Sequence, residues 1–132
     1  MLITATVAAL AACDDDAAVP TGVTPEGPVT QSEADGAIAG LCEMARTGRG
    51  DRDTVNDLFY DKSHASLHRI AAEAQASDRA ATGLLLERKQ LVENDLLSDP
   101  IPKTFEDDIR TLVDATGGAL RVIDLKPSDC KA

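Results

Sequence analysis

The sequence predicts an all-α protein, a small up-down bundle of about four helices, on three observations. Apolar residues recur at helical spacing in four successive segments. Those segments are parted by glycines, prolines or Ser/Asp pairs, which stop and start helices. The hydrophobic share is 43% but mostly aliphatic, with Phe59, Tyr60 and Phe105 as the aromatics and no Trp, a composition suited to close-packed helices. A chain of 132 residues has the size of one ordinary domain.

The first helix begins after Thr30, because Thr30-Gln31-Ser32-Glu33 has capping-box spacing: Thr30 accepts from the Glu33 N–H while Glu33 reaches back to the Thr30 N–H. Ala34, Ile38, Leu41, Cys42 and Ala45 give it one apolar stripe, and Gly48 and Gly50 end it. A second helix is expected from about Thr54 to Gln75, with Val55, Phe59, Leu67, Ile70 and Ala74 along one face and Ser63 interrupting it. Ser77 or Asp78 caps a third, reaching about Leu97, whose Ala81, Leu84, Leu85, Leu91, Val92 and Leu96 form a broad face. Pro100 and Pro102 stop it. Thr104 caps a fourth helix carrying Phe105, Ile109, Leu112 and Val113. Gly117-Gly118 could end that helix, but Ala119, Leu120 and Ile123 keep the same face, so continuation is expected at about 1 kcal/mol per glycine. The alternative is a short strand over 120–125, for which no partner strand is evident.

Ahead of these helices the composition changes twice. Residues 2–12, LITATVAALAA, are an apolar run far shorter than the roughly 20 residues that span a bilayer, and the right size for the apolar region of a signal peptide. The run ends in Leu10-Ala11-Ala12-Cys13, which resembles the lipobox of bacterial lipoproteins. The resemblance covers residues 1–13. It implies a signal peptide over 1–12, cleavage before Cys13, and a new N-terminal Cys13 carrying lipid, palmitate included. Residues 13–29 then read as the lipidated cysteine and an acidic, Pro/Gly-rich tether, DDDAAVPTGVTPEGPV, denied both helix and core. Extended, its 16 residues after Cys13 reach about 50 Å. The folded domain is therefore 30–132. The whole is similar to the small helical lipoproteins of bacterial envelopes, which places it on the extracytoplasmic face of the cell membrane.

With Cys13 assigned to lipid, Cys42 and Cys130 remain, and in an oxidising compartment they are expected to pair. Closing so long a loop is worth about 4–5 kcal/mol in the chain-entropy model. A buried, unpaired Cys42 is the alternative, but Cys130 lies in a polar tail where no apolar face accounts for it.

The net charge of −10, with no cluster of Lys or Arg, excludes a nucleic-acid surface. Neither Cys42 nor Cys130 has the spacing of a redox pair, and no catalytic motif is recognisable, so no enzymatic activity is expected. Arg49-Gly50-Asp51 is read as a helix break followed by an N-cap. Arg88 and Asp95 fall within the apolar face of the third helix and call for an ion pair, with each other or with a neighbouring helix.

One constellation has metal-ligand chemistry. Asp57, Asp61, His64 and His68 are spaced by four, three and four on the second helix, which puts them on one stripe about 60° wide. Carboxylates and an i, i+4 His pair suit zinc or copper. The stripe lies about 130° from the apolar face, so an uninterrupted helix would turn it to solvent, where a plain charged surface is the competing account. The functional expectation is a lipid-anchored binding or scaffolding module for an envelope protein partner, without a required cofactor. A divalent-metal protein using the Asp/His stripe is the alternative.

Overall fold

The computed structural model describes residues 27–130. The signal peptide expected over 1–12, Cys13 and the expected tether as far as residue 26 lie outside the described residues. The helices are α1 (Gln31–Thr47), α2 (Arg52–Leu58), α3 (His64–Gln75), α4 (Arg79–Leu97) and α5 (Phe105–Val122). A π-helical turn, Phe59–Ser63, joins α2 to α3 without a break, so the four expected helices are present. No strand occurs among the described residues, and the polypeptide runs helically through Gly117-Gly118 as the period required.

Helix ends follow the local chemistry. Thr30 Oγ1 accepts from the Glu33 N–H at 3.1 Å, but Glu33 does not close the capping box. Its carboxylate instead pairs with Arg69 Nε of α3 at 2.8 Å, because a cation offers it a stronger partner than an exposed amide. Gly48 at φ 73° turns the chain out of α1, a conformation that favours glycine. Asp51, the expected N-cap, starts α2 by accepting from the Thr54 N–H and hydroxyl, and these bonds hold its carboxyl below the usual range. Asp78 caps α4 through the Ala81 N–H. Thr104, by contrast, makes no side-chain cap to α5. The C-terminal carbonyls of α4 are met from across the bundle, where the Arg52 guanidinium donates to Leu96 O and Ser98 O.

The helices close a ring, with α1 against the π-helical turn and α5, α3 against α4, and α4 against α5. Its interior is filled by Ile38, Leu41, Met44, Phe59, Leu67, Ile70, Leu85, Phe105, Ile109, Leu112 and Leu120, all fully buried. Val29 also packs into the core and its N–H donates to Glu73 at 2.8 Å, so the folded domain starts one residue before Thr30. No helix among the described residues is long and apolar enough to cross a membrane.

Cys42 and Cys130 form the expected disulfide, spanning 88 residues with Cα atoms 5.2 Å apart. It ends a C-terminal strap laid along α1. Lys126 exchanges two hydrogen bonds with the Gln31 side chain, at 2.8 and 2.9 Å, and Ser128 donates to Asp35 at 2.8 Å. Bonds from Ser128 and Gln31 hold the Asp35 carboxyl below its ordinary range.

The buried face of α4 corrects the sequence reading. Thr82, Leu85, Lys89, Val92, Asp95 and Leu96 are buried, whereas Leu84 is 44% exposed and Ala81 and Leu91 are half-buried. The helix is rotated because the 3,4,3,4 spacing of Thr82, Leu85, Lys89, Val92 and Leu96 gives a narrower stripe against two neighbours than the broad leucine face does. Arg88 and Asp95 do not pair with each other: Arg88 lines a groove with Asp114, while Asp95 meets Asp108 of α5.

Candidate metal centre

The second helix of the bundle is not uniform. At Phe59–Ser63 it widens to a π-helical turn, closed by the His64 N–H on Phe59 O. The turn follows the packing of α1, whose closest approach is at Gly40: a Cβ there would lie 2.5 Å from Ser63 Oγ and 2.9 Å from Lys62 Cβ. Ser63 is buried and donates to Ala37 O at 2.7 Å, so the hydroxyl that interrupts the apolar stripe is satisfied by the α1 backbone.

An extra residue in one turn shifts the phase of everything after it by about 100°. The stripe expected on one solvent face is split. Asp57 and Asp61 stay exposed, while His64 turns toward α4 and becomes half-buried. There His64 Nε2 lies 3.0 Å from Glu93 Oε1, and His68, still exposed, follows one turn on with its ring 4.7 Å from that of His64. The metal-ligand atoms of His64, His68 and Glu93 all lie within 4.8 Å of one another; Asp57 and Asp61 are not in this group. Phe59 and Tyr60 wall it, their rings 5.6 and 5.2 Å from the His64 ring.

Glu93 and its companion Lys89 were not singled out from sequence. Lys89 is only 6% exposed, and its Nζ lies 2.6 Å from Glu93 Oε1. One carboxylate oxygen therefore receives both an ammonium of its own helix and an imidazole of the neighbouring helix. The signal that could have found Lys89 is its place in the stripe Leu85, Lys89, Val92, Leu96: a lysine at a core position must carry a counter-charge, and Glu93 is the acid four residues on. Burial lowers the affinity of His68 for a proton, the charges of Lys89 and His64 lower it further, and Glu93 opposes them.

A second ionisable contact lies between α4 and α5. Asp95 is 5% exposed, and burial, with the hydrogen bond to and charge of Asp108, raises its pKa to about 6. Its Oδ2 is buried with no other hydrogen-bond partner among the described residues.

No protein-family model, curated protein or solved structure matches the chain.

Proposed function

We propose that this chain is an extracytoplasmic, lipid-anchored helical module that acts by binding an envelope partner rather than by catalysis. The observation that carries the reading is the Cys42–Cys130 disulfide. Such bonds persist in oxidising compartments and are rare in cytosolic proteins, so the staple and the Leu10-Ala11-Ala12-Cys13 junction argue independently for export. Two acyl chains or more on Cys13 would give stable rather than transient attachment. Binding is the role favoured by the surface of α4, where exposed Leu84 and half-buried Arg88 border a shallow groove of about 300 Å³ shared with Thr111 and Asp114 of α5. A mixed apolar and charged groove of this kind suits a protein side chain.

Mass spectrometry of the protein extracted from membranes tests the anchor. The expected mature chain starts at lipid-modified Cys13, and Cys13→Ala leaves the membrane fraction. Retention of residues 1–12, or full membrane partition of Cys13→Ala, overturns it. Alkylation before any reductant is added should leave Cys42 and Cys130 unlabelled; labelling of both removes the support for export. Charge-reversing Arg88→Glu with Asp114→Lys should abolish cross-linking to any envelope partner captured by the wild type, without changing its helicity.

A further inference from the structure

We infer that His64, His68 and Glu93 form a binding site for a borderline transition-metal dication such as zinc, and that the Lys89 ammonium holds the metal's place until the ion displaces it. Two imidazoles and one carboxylate are the donor set of three-ligand zinc sites, in which water or a partner group completes the coordination. Around a tetrahedral ion with bonds of about 2.0–2.1 Å, neighbouring donor atoms sit roughly 3.3 Å apart. His64 Nε2 and Glu93 Oε1, at 3.0 Å, already have that separation. The ligand atoms of exposed His68 lie within 4.8 Å of those of His64 and Glu93, a gap that a side-chain rotation can close.

Three features distinguish this cluster from a chance surface grouping. Its ligands come from two helices, His64 and His68 from α3 and Glu93 from α4, so an ion would cross-link the bundle. The π-helical turn places His64 on the α4 side, against the phase of an uninterrupted helix, and turns of this kind recur at functional sites. The pocket oxygen is already bound by one of the protein's own cations: Lys89 Nζ sits 2.6 Å from Glu93 Oε1 with its side chain 7% exposed. A buried ammonium and a dication cannot share one carboxylate oxygen without strong repulsion in a medium of low dielectric. Metal binding is therefore an exchange in which Lys89 swings from Glu93 toward solvent along its flexible stem. Removing the ammonium should tighten binding, a result that an incidental pair of surface histidines would not give.

Calorimetric titration of the full chain, disulfide intact, with zinc chloride and separately with cobalt(II) tests both parts. Saturable binding of one ion per chain is expected, with visible cobalt bands of a tetrahedral nitrogen and oxygen environment. Lys89→Met should bind zinc at least tenfold more tightly than the wild type, while Lys89→Arg, which keeps a cation, should not. His68→Ala, at an exposed position that leaves folding intact, should weaken binding at least tenfold in the Lys89→Met background, and Glu93→Gln should do the same in that background. Absence of saturable binding in both the wild type and Lys89→Met, or binding unchanged by His68→Ala, overturns the site. Equal affinity of the wild type and Lys89→Met overturns the exchange with Lys89.

Discussion

Two charged residues occupy the buried stripe of α4, less than two turns apart, and the bundle accommodates them in opposite ways. Lys89 is 6% exposed and is met by Glu93, with His64 approaching the same oxygen. Asp95 is 5% exposed and is met by another acid, Asp108. In the first case a counter-charge offsets desolvation. In the second no counter-charge is supplied, and the proton itself becomes the compensating group. Equal burial thus gives one contact that depends on its partner's charge and another that depends on pH.

The largest expected effect comes from removing the counter-charge. Glu93→Ala should lower unfolding free energy by about 3 kcal/mol, the low end for breaking a buried pair because the lysine stem can carry its charge outward. Urea denaturation measures it, and a loss below about 0.5 kcal/mol would mean that Lys89 does not rely on Glu93. Next is Gly40→Ala, which drives a methyl into Ser63 and Lys62 and should cost about 1–3 kcal/mol by forcing α1 off the π-helical turn. It should disturb the His64 contact and leave the Asp95 contact alone, so the pH dependence of stability should keep its shape. Gly36→Ala, with nothing within 4 Å of the added methyl, is the control and should stabilise slightly.

The acid pair predicts a direction as well as a size. Asp95 binds its proton up to about pH 6 in the folded chain, against an ordinary value of 3.8, so between those values the folded state holds more protons than the unfolded. Its contribution is fully present below about pH 3.8 and is lost as pH rises through about 6. Asp95 therefore raises the melting temperature as pH is lowered from 7.5 to 5, against an opposing contribution from His68, whose lowered pKa costs stability as pH falls below its ordinary value of 6.5. Asp35 and Asp51, whose pKa values are lowered, act in the opposite sense but only as pH falls below the ordinary carboxylate range. Asp95→Asn should flatten the rise and stabilise the protein at pH 7.5 by a few degrees, the equivalent of about 1 kcal/mol in a domain of this size. A calorimetric scan at the two pH values decides it; an unchanged slope in the variant would assign the pH response elsewhere. A smaller effect is expected of Lys89→Met, a loss of about 1 kcal/mol in urea, because the apolar side chain keeps the packing of the lysine stem and removes the desolvated ammonium, while Glu93, at 15% side-chain exposure, is left to His64 and solvent.

The helices were legible because their stops and starts are local chemistry: the glycine after α1, aspartates or a threonine before α1, α2 and α4, and Pro100 beyond α4. Cys42 and Cys130 were legible by counting. The facing of α4 was not, since six apolar residues cover more of the circumference than its neighbours bury, and only the packing decides which are left out. The phase of His64 was hidden for a different reason. Reading at about 100° per residue assumes an uninterrupted helix, and the π-helical turn is set by contact with Gly40 on another helix. Ser63 in the apolar stripe was its only trace. Asp95 was recognised as a charge on a buried face, but a search for ion pairs looks for a cation and passes over Asp108.

The strap along α1 has a consequence for the order of the chain. Gln31, at the entry to the bundle, is hydrogen-bonded to Lys126 near its exit, and the disulfide fastens the same strap to α1 eleven residues further on. In topological terms the domain is almost a ring, cut at an arbitrary place. A circular permutant that links residue 130 to residue 29 through a glycine linker, keeping the Cys42–Cys130 bond, and opens the chain at the exposed Arg49-Gly50 turn, would break no helix. The bundle's architecture is thereby separable from the order in which its helices are written.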